Sequence, residues 1–225
     1  MSQYESYTAP GEVAGIPRER VDSRAVFGQV MGLVAFTVAF AAAGAYIGRD
    51  LSSGAGWIAF IAAIGCIFGL NIAASRGREQ LAIVLLFSLG LLLGLFAGPI
   101  FAFYAENNPA VLWQACGATA LFVGGLGAFG YATSRDLSSW GRVLFWSLLG
   151  LILFGFVALF VAIPGANIIY AVLGLVIFGG FSIFDFWRLR RADQSQAVPI
   201  AASIFLDIFN VLLLFLSLFG GGSRS

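Results

Sequence analysis

Residues Gln80–Phe103 read QLAIVLLFSLGLLLGLFAGPIFAF, a run of 24 residues with no charged side chain. A helix needs roughly 20 apolar residues to cross the hydrocarbon core of a bilayer, so this stretch is predicted to span a membrane. Six further runs have the same character: Val26–Ile47, Trp57–Ala74, Val111–Ala132, Val143–Ile163, Asn167–Trp187 and Val198–Phe219. Polar breakers separate them, among them Arg49-Asp50, Arg76-Gly77-Arg78-Glu79, Glu106-Asn107-Asn108-Pro109, Ser134-Arg135-Asp136, Pro164-Gly165 and Arg188 through Gln196. The expectation is an all-α polytopic protein with seven transmembrane helices over residues 25–220. A polar N-terminal arm at 1–24 and a short tail at 221–225 flank them.

Composition agrees with this reading. Hydrophobic residues make up 60% of the chain and charged residues 10%, where a soluble domain carries about 25%. The net charge of +1 argues against nucleic acid as a partner. All 12 basic residues are arginine, and the chain has no histidine. That removes histidine metal sites and histidine bases. No phosphate loop, nucleophile elbow or zincin motif replaces them. An enzyme is therefore not expected, and no cofactor is called for. The two cysteines, Cys66 and Cys116, sit inside apolar runs and read as small buried hydrophobes.

Arginine placement predicts the orientation, because basic residues accumulate on cytoplasmic loops. With the N-terminus inside, Arg18, Arg20, Arg24, Arg76, Arg78, Arg135, Arg142, Arg188, Arg190 and Arg191 fall on one side and only Arg49 and Arg224 on the other. An even number of spans would destroy that asymmetry. The N-terminus is thus expected in the cytoplasm and the C-terminus outside. Gly90, Gly94 and Gly98 repeat at four-residue spacing on the third span, and Gly28/Gly32 and Gly65/Gly69 repeat the pattern. Such glycines let helix backbones approach closely, here within a monomer.

Few ionisable residues lie at membrane depth. Asp207 stands near the middle of the last run, in Phe205-Leu206-Asp207-Ile208-Phe209-Asn210, with no arginine within one turn. A carboxylate there is costly unless it is protonated, paired or facing a water-filled cavity. Ser203 and Asn210, four residues before and three after, share its helix face. Asp185 closes the sixth run in Ser182-Ile183-Phe184-Asp185-Phe186-Trp187-Arg188, where Arg188 could form an ordinary interfacial ion pair. Arg76, at the end of the second run, reads on its own as an anchor that snorkels to the headgroups.

Three stretches carry a resemblance to a known family. They are Gly90-Leu-Leu-Leu-Gly94 with Gly98-Pro99-Ile100-Phe101 and Ala118-Thr119-Ala120-Leu121-Phe122; Ser182-Ile-Phe-Asp185; and Leu206-Asp207-Ile208-Phe209-Asn210 with Phe219-Gly220. From about Val26 onward the chain resembles the Bax inhibitor-1 family, the transmembrane Bax-inhibitor-motif proteins. The resemblance implies six helices around a central, unusually hydrophobic last helix, with Asp185 and Asp207 forming a carboxyl dyad. It also implies a pH-sensitive calcium leak channel of the bacterial kind, with Ca2+ as permeant or bound ion at Asp185 and Asp207. Arg76 would be the latch on the dyad, with Arg78 as its rival. The ending Gly-Gly-Gly-Ser-Arg-Ser lacks the lysine-rich tail of eukaryotic members, and without histidine any pH response must come from carboxylates.

Two facing carboxyls would share a proton and titrate as a unit. Losing that proton would add repulsion and free oxygens suited to a hard cation such as Ca2+. The rival expectation is a regulatory membrane protein that binds a membrane protease or a cell-death or stress factor. A proton-coupled transporter ranks below it, since no inverted repeat is visible, and an intramembrane enzyme ranks last. The expected surroundings are a bilayer, with the bacterial plasma membrane suggested by the arginine-, alanine- and glycine-rich composition. The chain is expected to act as a monomer.

Overall fold

Long apolar runs without internal charge leave the backbone one way to satisfy its polar groups in lipid, which is to bond them within the segment. The computed structural model describes residues 18–161 and 164–221, with side chains from Arg24 onward. Among them all long regular structure is α-helical: α1 Arg18–Ile47, α2 Ser53–Ser75, α3 Glu79–Asn107, α4 Pro109–Ala132, α5 Trp140–Phe160, α6 Ala166–Leu189 and α7 Ala197–Gly221. All seven are long and apolar enough to cross a membrane. Residues 1–17 of the expected arm lie outside the described residues. So do Ala162 and Ile163 of the fifth run, and 222–225 with Arg224.

The breakers act where their chemistry directs. Ser52 caps α2, its hydroxyl accepting from the Ala55 backbone N–H. Gly77 takes φ +68° just past α2, and the following Arg78 N–H returns to the Ala73 carbonyl at 2.9 Å. Gly165, at φ +73°, opens α6 directly after Pro164. Asn108 alone separates α3 from α4, because Pro109 occupies the first position of α4, where its missing N–H costs nothing. Pro99, by contrast, lies inside α3 and cannot bond the Leu95 carbonyl one turn back. That carbonyl lies against Gly48, where an added Cβ would come within 2.6 Å of it.

The last helix is the central one. It packs against α6, α4 and α1 most extensively and also meets α2 and α3. Ile200, Ile204, Phe205, Val211 and Leu216 of α7 are all buried. Five helices therefore line α7 directly. The outermost, α5, packs on α6 and buries only Leu144 and Leu151; Leu151 joins the apolar cluster of Val211 and Leu214. The rest of α5 presents Phe145, Trp146, Ile152, Leu153 and Phe156 outward, as a lipid-facing helix should.

The α1–α3 seam is the most extensive in the molecule, and it is glycine-mediated as expected. Gly90 sits on the Thr37 backbone, Gly94 on Ala41 and Ala45, and Gly98 on Ala45 and Gly48. The other two glycine pairs behave differently. Gly28, Gly32 and Gly65 face open space, and Gly69 meets only the Leu85 side chain. Gly44 and Gly48, which the four-residue pattern on α3 left unnoticed, complete the seam from the α1 side against Leu91 and Leu95.

Two ends of the bundle are distinct. One gathers the start of α1, the α2–α3 and α4–α5 turns, and the α6–α7 connection, and it carries all of the described arginines except Arg49. Contacts bind it together. Trp187 Nε1 donates to the Arg135 carbonyl at 2.9 Å, and Arg190 Nη1 reaches the Tyr131, Ala132 and Thr133 carbonyls at 3.3, 3.4 and 3.3 Å. At the opposite end the Tyr104 hydroxyl donates to the Leu216 carbonyl of α7.

Candidate functional site

Most buried polar side chains of the bundle are closed off within their own helices. The Thr37, Thr119 and Ser182 hydroxyls donate to the carbonyls of Leu33, Ala115 and Phe178, each four residues back, at 2.7, 2.8 and 2.9 Å. Two buried groups do not fit that pattern. Asp185 and Asp207 are 3% and 4% exposed. They are the two buried acidic side chains among the described residues.

Asp185 belongs to α6 and Asp207 to α7, on the interface where these helices pack. The sequence places the dyad on facing helices because Ser182 and Asp185 recur at three-residue spacing on the buried face of α6. The Asp207 carboxyl faces Ser182 and the Asp185 carboxylate across that interface. Asp185 Oδ1 accepts from Arg188 Nη1 at 3.1 Å, one turn along α6. Arg188 is itself partly exposed and lies over the Phe184 ring, with its guanidinium carbon 5.7 Å from the ring centre.

Asp207 lacks such a partner. Its Oδ2 is the one buried side-chain nitrogen or oxygen without a hydrogen bond among the described residues. A buried polar atom in that condition costs about 1–3 kcal/mol, so the site holds unspent binding capacity. Ser203 and Asn210 share the Asp207 face but are engaged with their own helix. Ser203 Oγ donates to the Pro199 carbonyl at 3.3 Å and Asn210 Nδ2 to the Leu206 carbonyl at 2.7 Å. Arg76 and Arg78 lie exposed at the α2–α3 turn, with no ion pair to a described carboxylate. The cation on the dyad in this structure is Arg188. Sequence reasoning gave Arg188 only an interfacial role and gave Ser182 none; the spacing Ser182–Asp185–Arg188, three residues apart throughout, was the available signal.

The loop carboxylates make the contrast plain. Backbone and hydroxyl hydrogen bonds from Ser138 hold the Asp136 carboxyl below the usual carboxylate range. The Ser195 hydroxyl and backbone do the same for Asp193. Both are fully satisfied, solvent-facing turns. No group of three or more His, Cys, Asp or Glu side chains that could hold a metal occurs among the described residues.

Fold and site together define a multi-pass integral membrane protein of seven apolar helices, built around a central helix that carries a buried carboxyl. The family described as inhibitor of apoptosis-promoting Bax1 matches residues 23–224, and the chain belongs to it. Similar proteins include mouse protein lifeguard 4, 32% identical over 154 residues, which cover 68% of this chain and 63% of the mouse protein. A membrane protein of Vibrio cholerae is 30% identical over 162 residues, 71% of this chain and 72% of its own. A Pseudomonas aeruginosa protein is 27% identical over 208 residues, 90% of this chain and 91% of its own.

Proposed function

We propose that this chain is a pH-sensitive cation leak pathway of a bacterial plasma membrane, with Ca2+ as the expected ion and the arginine-rich end in the cytoplasm. The observation that carries the reading is the partnerless Asp207 Oδ2, buried against Asp185 at the α6–α7 interface. In the closed arrangement Asp185 carries the charge that Arg188 neutralises, and Asp207 carries the proton. Losing that proton leaves two carboxylates to one guanidinium at about 4% exposure, a state that low dielectric makes expensive. The bundle relieves it by parting α6 from α7, or by admitting water and a hard cation to the freed oxygens. Two carboxylates make a modest Ca2+ site, suited to passage more than to retention.

Among the described side chains no other carboxylate is buried. Between their ends α2 and α4 carry no charged residue, α3 carries Glu79 and Glu106 only at its two ends, α1 carries Arg18, Glu19, Arg20, Asp22 and Arg24 within its first two turns, and α5 carries Arg142 near its start. The remaining titratable groups of the bundle are the phenols of Tyr46, Tyr104, Tyr131 and Tyr170 and the thiols of Cys66 and Cys116.

The test is Ca2+ flux into proteoliposomes holding purified protein, wild type beside Asp207→Asn, at about pH 6 and about pH 8. Flux that rises with pH in the wild type and loses that dependence in the variant supports the carboxyl gate. Equal pH dependence in both refutes it.

The description of the family favours a second reading, a regulatory protein that binds a partner within the membrane. Gly65 and Gly150 face open space on α2 and α5 and would be docking surfaces. On that reading Asp207→Asn is tolerated and enlarging these two glycines is not.

A further inference from the structure

Between α1 and α4 the bundle is not closed. The two helices pack separately, α1 on α3 and α7, α4 on α6 and α7. A cleft of about 600 Å³ lies between them, lined by Arg24, Phe27, Gly124, Ala128, Tyr131 and Phe186. Gly124 keeps it wide, since a Cβ there would meet nothing within 4 Å. Gly124 and Ala128 are one turn apart, so α4 turns a smooth strip of backbone toward the opening. Phe27 and Tyr131 meet edge to face at 5.3 Å near the arginine-rich end. The cleft is apolar along its length and basic at one end, where Arg24 lines it.

A gap between spans opens sideways into lipid. What fills it must present hydrocarbon along α4 and negative charge at Arg24. We propose that this cleft is a binding site for an anionic phospholipid, its phosphate on Arg24 and one acyl chain lying along Gly124 and Ala128 against Phe186. The guanidinium fork matches a phosphate in two-point geometry. The same end of the bundle carries Arg135, Arg188, Arg190 and Arg191, whose summed field favours an anionic over a zwitterionic headgroup. Basic pockets between transmembrane helices recognise such headgroups generally. The volume falls within the roughly 300–1,000 Å³ usual for a small-ligand site. Phe186 ties the occupant to the rest of the molecule, because its ring packs where a Cβ on Gly127 would come within 2.8 Å and it follows Asp185 in α6. The site stands independently of the leak, since it needs only the cleft and its cation.

The test is native mass spectrometry of the full chain in detergent, titrated with phosphatidylglycerol, phosphatidylethanolamine or inorganic phosphate. The wild type should retain phosphatidylglycerol in preference to phosphatidylethanolamine and should not exchange it for phosphate. Arg24→Gln should weaken phosphatidylglycerol binding about five- to tenfold, down to the phosphatidylethanolamine level. Gly124→Leu and Ala128→Phe each put a side chain into the opening and should reduce retention of both lipids. Since Gly124 borders open space and Ala128 is exposed, both variants should keep the wild-type melting temperature. Retention unchanged in both filling variants would overturn the site. So would a phosphatidylglycerol preference that survives Arg24→Gln, or displacement of the lipid by phosphate alone.

Discussion

The α1–α3 seam and the α6–α7 seam solve the same problem, holding two helices together where lipid is as apolar as any side chain, by opposite means. At the first, Gly44, Gly48, Gly90, Gly94 and Gly98 bring backbone onto backbone, and the ionisable Glu79, which accepts from Gln29 Nε2 at 3.2 Å, lies exposed at one end away from these glycines. Dispersion does the work, and it scales with closeness. At the second, the contact holds two carboxyls, a serine and one guanidinium, with an oxygen left over. The glycine contacts are intolerant of added volume. On the function proposed above, the second seam responds to charge, and the bundle combines a frame that stays shut with a joint that does not.

The largest effect should come from adding volume to the frame. A side chain at Gly94 would strike the Ala41 backbone carbonyl, which cannot rotate away. Gly94→Leu should therefore cost about 3 kcal/mol or more, visible as a lower melting temperature in detergent or loss of monodisperse protein. A stable Gly94→Leu variant would show that the seam is looser than its geometry.

Next in size is the joint. Leu has the branched outline of Asp, so Asp207→Leu removes the partnerless oxygen at little steric cost. It should raise stability by about 1–2 kcal/mol and abolish any pH dependence of Ca2+ flux. A destabilised Asp207→Leu would mean that the carboxyl has a partner in the membrane-embedded protein. The arginines come third. Arg188→Gln removes the guanidinium that offsets the dyad's charge, so flux should turn on only at a higher pH. Arg76→Gln should leave the profile in place if Arg188 is the gating cation and move it if Arg76 is the latch. The smallest effect belongs to the open glycines. Gly28→Leu should change stability by no more than about 0.5 kcal/mol, the counterpart of Gly94→Leu on the helix that forms the same seam.

The span count was legible because it follows from one-dimensional patterns, unbroken apolar runs and alternating arginines, whereas the central place of the last helix was expected only from the family resemblance. Helix ends were less legible. The run ending at Phe103 stops short of Asn107 because hydropathy falls at Glu106 while backbone hydrogen bonding continues past it. Asp185 and Asp207 could be singled out because charge at membrane depth is rare. Their cation was left among three candidates at the arginine-rich end, Arg76, Arg78 and Arg188; the three-residue spacing pointed from Asp185 to Arg188, and the fold shows Arg188 on that carboxyl while Arg76 lies exposed at a turn. The glycine pattern misled in part for the same reason. Four-residue spacing is common to Gly90/Gly94 and Gly28/Gly32, but whether a helix lies opposite is a property of the neighbours.

The Arg190 guanidinium, gathered onto the last three carbonyls of the α4 terminus, and the Trp187 indole on Arg135 rivet α4 to α6. On the gating proposed above, a displacement that carries Asp185 away from Asp207 would carry α4 with α6, and α4 is a wall of the cleft whose other wall is α1. The width of that cleft becomes a gauge of the joint's position, so a probe pair on Gly28 and Gly124 would report the movement of a carboxyl neither residue touches.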